Sequence, residues 1–129
     1  MLIRRKTQVD KRERSGLTSH FMLGRGDTEA NALALTWVDV IPGSRQILHN
    51  HPEVQVYVIV SGFGIMQVGE ERHAVQGGDL IYIPSNEMHG IENSSDEVLS
   101  YVSAASPAFS MSLADGYDKG QLTPEAYKN

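Results

Sequence analysis

Between Ala32 and Ser103 a turn signal recurs about every 8–12 residues: Pro42-Gly43, Pro52, Ser61-Gly62, Gly69-Glu70, Gly77-Gly78, Pro84 and Ser94-Ser95. The runs between them are rich in Val, Ile, Leu and Tyr. They are too short for helices, and no useful window carries a 3.6-residue period. Short extended runs at this spacing specify an all-β sandwich or barrel. The spacing predicts a strand near His20, then Ala32–Ile41, Ser44–His51, Gln55–Val60, Ile65–Val68, Arg72–Val75, Leu80–Ile83, His89–Asn93 and Glu97–Ser103. Within Ala32–Ile41, Leu33, Leu35 and Trp37 share one face, and Ala34, Thr36, Val38 and Val40 the other.

At 129 residues the chain reads as one domain. Residues 1–31 form an N-terminal arm and edge strand, 32–105 the barrel, and 106–129 a polar tail with one short helical turn near Pro124–Tyr127. The net charge is −5, unevenly spread. Arg4, Arg5, Lys6, Lys11, Arg12 and Arg14 stand against Asp10 and Glu13, so the first 14 residues carry +4 and the remainder −9. That balance argues against nucleic acid as a partner, and the arm reads as a solvated segment or an edge strand. No apolar run follows the early basic residues and nothing approaches a membrane span of about 20 residues. The expectation is a cytoplasmic protein with no membrane partner.

One strand speaks to assembly. Gln55, Tyr57 and Ile59 point one way, and Val56, Val58 and Val60 the other. A small barrel has one interior, so the second apolar face calls for another sheet, most simply from a second subunit. The expectation is a homodimer with the valine face buried, in which the N-terminal segment can exchange as an edge strand.

His49 and His51 stand one residue apart in extended chain, so their side chains project to the same side about 6.6 Å apart. Two imidazoles so placed can converge on one metal ion, and His89 arrives as a third after a further strand and turn. With no cysteine in the chain, disulfides and thiol catalysis are excluded, and any metal is held by nitrogen and oxygen. The alternative is a metal-free barrel that keeps these histidines as core hydrogen-bonders. Glu53, a rival oxygen donor, sits in the Pro52 turn and is expected to face solvent. His20 and His73 read as structural or surface residues. Tyr57, Tyr82 and Phe63 read first as core aromatics. Glu87, Glu53, Tyr57 and Tyr82 are the visible acid–base candidates, and none has the spacing of a known catalytic pair.

These residues resemble the two motifs of the cupin family. Gly43, His49, His51, Gln55 and Gly62 fall at the first motif's Gly, His-x-His, Glu and Gly positions. Gly78, Pro84, Asn86, His89 and Asn93 fall at the second motif's Gly, Pro-x-Gly, His and Asn positions, after a 15-residue spacer. Two positions depart from the pattern. Asn86 replaces a glycine but tolerates the left-handed backbone. Gln55 replaces a glutamate, offering a neutral amide oxygen that cannot accept a proton.

The resemblance implies a jelly-roll β-barrel (a double-stranded β-helix) with a divalent metal bound by His49, His51, Gln55 and His89. Gln55 has a second reading, that of orienting a histidine from behind. Mn, Fe, Ni, Co or Zn suits the donors, with manganese slightly favoured. Small oxalate-decarboxylase-like cupins look most similar. They suggest a metal-dependent decarboxylase, dioxygenase or isomerase acting on a small carboxylate or oxygen-rich substrate. The alternative is a non-catalytic module that binds a carboxylate or sugar. Glu87, Tyr57 and Tyr82 remain the catalytic candidates.

Overall fold

A computed structural model, which describes residues 1–108, shows an all-β jelly-roll barrel. Its strands are β1 (Lys11–Arg14), β2 (Leu17–Leu23), β3 (Ala34–Val40), β4 (Val54–Ser61), β5 (Phe63–Val68), β6 (Glu71–Gln76), β7 (Leu80–Ile83), β8 (His89–Glu92) and β9 (Leu99–Ser106). One sheet has the order β1-β2-β3-β9-β4-β7 and the other β6-β5-β8, with every pairing antiparallel. The short helical turn expected near Pro124–Tyr127 lies outside the described residues. No helix among the described residues is long and apolar enough to cross a membrane.

The segment from Ser44 to His51 is not the regular strand its pattern predicts. It touches the smaller sheet through two isolated bridges, Arg45 with Glu92 and His49 with His89. Between them the His49 ring takes the Ile47 carbonyl, a local side-chain bond that competes with a continuous ladder. The bridge nevertheless sets His49 directly opposite His89.

Turn chemistry holds the barrel's corners. Asn86 has φ +65°, the left-handed conformation that the second motif's glycine position requires. A Cβ on Gly62 (φ +88°) would come within 2.4 Å of the Val98 carbonyl oxygen, so β4 can turn into β5 only without a side chain there. Asn93 is fully buried and spends its whole amide on backbone and turn. It donates to the carbonyls of Val40 (2.9 Å) and Glu97 (2.7 Å) and accepts from the amide and hydroxyl of Ser95.

The larger sheet has two distinct faces. Inward, Val40, Tyr57, Ile59, Leu99 and Tyr101 are buried together, with Tyr57 stacked on Tyr101 at 4.4 Å. Outward, the register aligns His20, Trp37, Val102, Val58 and Leu80 in one row across five strands. The arm covers one end of that face: Lys6 lies 5.0 Å over the Trp37 ring and pairs with Asp39 at 2.8 Å, while Arg4 pairs with Asp27 at 2.6 Å. It docks on its own chain and leads into β1, which pairs with β2 of the same chain. Among the described residues nothing covers the other end, where Val58 is 37% and Leu80 62% exposed.

Candidate metal centre

Strand parity aims most of the site. Along β4 the inward set is Gln55, Tyr57 and Ile59, and the same parity continues back through Glu53 to His51 and His49. β8 brings His89 in from the opposite sheet. The three imidazoles are buried, and one ligand nitrogen from each lies within 4.8 Å of the others. Ring centroids are 4.4 Å apart for His49–His89, 5.0 Å for His51–His89 and 6.1 Å for His49–His51. Two nitrogens bound to one ion at about 2.1 Å are no more than about 4.2 Å apart, and about 3.0–3.4 Å apart at octahedral or tetrahedral angles, so binding draws nitrogens near that 4.8 Å limit together by more than about half an ångström.

The tautomers follow from the backbone. His49 Nδ1–H donates to the Ile47 carbonyl (3.0 Å), His51 Nδ1–H to the Glu53 carbonyl (3.0 Å) and His89 Nδ1–H to the Glu87 carbonyl (2.9 Å). Carbonyls only accept, so each ring carries its proton on Nδ1 and keeps a lone pair on Nε2, as metal-binding histidines do. His89 Nε2 is buried with no hydrogen-bond partner among the described residues. His51 Nε2 faces Gln55 Oε1 at 2.9 Å, and Gln55 Nε2 donates to Ser103 Oγ, which turns that oxygen toward the ring. The residues present therefore fit a divalent cation of the kind that accepts nitrogen and neutral oxygen.

Burial sets the charge state. Desolvation pushes His49 down to about 4, against a partly compensating bond to Ile47 and with help from nearby His51. It pushes His89 down to about 3, assisted by His49. Both rings are neutral at pH 7 and free to ligate. Because their folded values lie below the unfolded value near 6.5, the stability they contribute is complete above pH 6.5 and is lost as pH falls toward 4 and then 3. Denaturant melts of metal-free protein are expected to lose a few kcal/mol between pH 7 and 4.5; a flat profile would show that burial does not hold these rings neutral.

The structure distributes the other candidates unevenly. Tyr57 lies edge-on to His89 at 6.0 Å and donates its hydroxyl to Gln46 Oε1 at 3.2 Å. Burial pushes its phenol up to about 12, so it stays protonated and is a donor only. Tyr82 pairs with Val56 on the outward face and is exposed, on the other side of the sheet from the histidines. Glu87 gives its backbone carbonyl to His89, but its carboxylate lies over Gly69 at the β5–β6 turn. Phe63 is half exposed. His20 is buried against Asp39 at 3.3 Å, whereas His73 is exposed.

Tyr82 and Phe63, read as core aromatics, are instead exposed, because alternation puts Tyr82 on the outward face and Phe63 opens β5 at its turn. A further expectation is overturned. Glu53 does not face solvent: it is 5% exposed, and its Oε1 lies 3.7 Å from His51 Nδ1. Glu53 lies in the bend at Pro52, one residue before β4, yet it already follows the inward parity of Gln55 and Tyr57. Sequence reasoning also missed Ser103 and Gln46. Alternation along β9, where Leu99, Tyr101, Ser103 and Ala105 are the inward set, was the available signal for Ser103.

Comparison with known proteins bears on the family and the fold. The family model described as Cupin domain matches residues 36–105. An uncharacterized protein of Methanocaldococcus jannaschii is 36% identical over 73 residues, a match covering 55% of this chain and 58% of that protein. The chain thus spans less than two thirds of that relative's length. Among solved structures, a predicted oxalate decarboxylase from Thermotoga maritima superposes with a TM-score of 0.75 at 21% identity, covering 81% of this chain and 98% of that one. The polyketide cyclase RemF from Streptomyces resistomycificus superposes with a TM-score of 0.71 at 20% identity, covering 100% and 99%. At these identities the two structures show a shared fold. The motif positions, the jelly-roll barrel and the family match together place this chain in the cupin family.

Proposed function

We propose that this cupin is a divalent-metal-dependent enzyme acting on a small carboxylate or other oxygen-rich substrate, with His49, His51, His89 and Gln55 holding the metal. The observation that carries this reading is the cluster of three buried imidazoles, each offering one nitrogen within 4.8 Å of the others. Their Nδ1 protons are spent on backbone carbonyls, which leaves the Nε2 lone pairs for a ligand. A cation there also gives buried His89 Nε2 a partner. Manganese, iron, nickel, cobalt or zinc suits three imidazoles and an amide, with manganese preferred. A divalent ion in that position supplies Lewis acidity toward a bound carboxylate.

The protein's own groups define what can happen there. Tyr57, protonated and close to His89, can donate a hydrogen bond but cannot serve as a base. Gln55 cannot take a proton. The oxalate decarboxylase and polyketide cyclase names carried by the similar folds are compatible with a decarboxylase, dioxygenase or isomerase type of reaction. The locked state of Tyr57 favours the second reading, a module that binds a carboxylate or sugar without turnover. Metal analysis of the purified protein, mass spectrometry of any co-purifying ligand, and turnover assays on the metal-loaded protein with small carboxylates separate the two. Retention of a carboxylate with no product formed selects the binder.

The ligand charge gives a direct prediction. Three imidazoles and an amide are neutral, so a bound divalent ion keeps +2 among its ligands, where a glutamate at residue 55 would leave +1. Gln55→Glu is expected to keep the metal and weaken oxalate binding at least tenfold, about 1.4 kcal/mol. Titration calorimetry on both loaded forms checks it, and equal or tighter binding by the variant refutes the anion-selective reading.

We further propose that the protein is a homodimer in which a second copy covers the bare β4–β7 end of the outward face. The arm already covers the β2–β3 end of that face on the same chain.

A further inference from the structure

Glu53 is a charged side chain that folding has taken almost wholly out of water. Such burial is costly unless the charge has a compensating partner. The two residues that flank it on the inward face, His51 and Gln55, belong to the proposed centre, and its Oε1 sits 3.7 Å from His51 Nδ1. The same residue's backbone carbonyl accepts the proton on that Nδ1 at 3.0 Å. Both polar groups of Glu53 therefore address the side of the His51 ring opposite the lone pair that meets Gln55.

The placement bears on charge. Gln55 stands where the family's first motif has a glutamate and brings no negative charge. A carboxylate is present all the same, two residues earlier with the same inward parity, behind the histidine. An anion hydrogen-bonded to or packed against the far nitrogen of a liganding imidazole raises the basicity of the near nitrogen and fixes the ring's orientation.

Resting on the proposal that these histidines hold a divalent ion, we infer that Glu53 is the anionic positioning residue of the centre, acting through the His51 ring to supply the negative charge that Gln55 lacks. This division has a purpose. The ion keeps two neutral oxygen and nitrogen donor types in direct contact, so its ability to take an anionic ligand is preserved, while the carboxylate stabilises the charged centre from behind.

The test uses the full-length protein, stripped of metal and titrated with Co²⁺, followed by calorimetry and visible absorption. Wild type is compared with Glu53→Gln, Gln55→Glu and the double variant, each checked for fold by circular dichroism. Glu53→Gln is expected to weaken Co²⁺ binding 10- to 100-fold, to shift the cobalt absorption bands, and to tighten oxalate binding to the loaded site several-fold. Adding Gln55→Glu to it is expected to restore Co²⁺ affinity, because a carboxylate again faces the ion. A merely structural Glu53 would lower both affinities together, with no rescue from residue 55, and that result overturns the inference. So does unchanged Co²⁺ affinity in a folded Glu53→Gln. If Glu53→Gln fails to fold, Glu53→Asp is read instead. Withdrawing the charge by one methylene is expected to weaken Co²⁺ and tighten oxalate, and parallel losses count against the idea. Failure of the wild type itself to bind Co²⁺ removes the metal centre and this role with it, whereas Co²⁺ binding indifferent to residue 53 retires the role of Glu53 alone.

Discussion

Stripping metal from the loaded protein is expected to lower its melting temperature by about 10 °C. The barrel interior holds three imidazoles and an amide that water no longer solvates, and the Nε2 of His89 has no partner among the described residues. A ligand that binds only the folded state adds RT ln(1 + [L]/Kd), about 2.7 kcal/mol at one hundred times Kd. For a domain of this size that shift is large against a net stability of about 5–15 kcal/mol. His51→Ala removes one of the three nitrogens and the ring that Gln55 faces. It is expected to lose the metal and with it any response to chelator. The check is differential scanning fluorimetry of both forms with and without chelator. A melting curve of metal-loaded wild type that chelator leaves unmoved means that the site is wrong or that its metal is adventitious.

Val58→Asp is expected to dissociate the proposed dimer, at a cost of several kcal/mol or more than a hundredfold in dimer affinity. Val58 lies in the outward row between Val102 and Leu80. It is part of an apolar surface that includes Val54, Val60 and Tyr82, all at least a third exposed in the single chain. A standard interface buries about 800 Å² per partner around a dehydrated apolar centre. A carboxylate placed there has no partner, whereas in a monomer it would simply face water. Monomer stability should therefore change little while the association equilibrium shifts. Sedimentation at micromolar concentration reads both forms, and a wild-type monomer would end the proposal.

The strand and turn pattern was legible because its causes are local. Gly62, Gly78 and Pro84 punctuate the chain by backbone sterics, whatever lies around them. Alternation fixes which side of a strand faces in, and so it placed Gln55, Tyr57 and Ile59 together on the buried face of β4. His49 and His51 could be paired from spacing alone, and motif position added His89. Where the pattern failed, the deciding contact was distant or set by the register. Ser44–His51 reads as a strand, yet its pairing is limited to the two bridges, with His49 held by its own ring's bond to Ile47.

Residue 53 shows the division most clearly. A glutamate after proline in a turn has the local signature of a solvated side chain, and composition gives no reason to bury it. Only the register of β4 decides that position 53 belongs to the inward set, and only the folded barrel sets its carboxylate beside His51. The same holds for Ser103 and Gln46, whose bonds to Gln55 and Tyr57 join residues 48 and 11 positions apart. The amino-acid sequence by itself determined the kind of fold and the three nitrogens, because periodicity and side-chain chemistry are properties of the chain. Tertiary structure decided the exposed Tyr82 and the buried Glu53, because those depend on the sheet face and the surroundings that other strands supply, whereas the tautomers come from carbonyls two residues away along the chain.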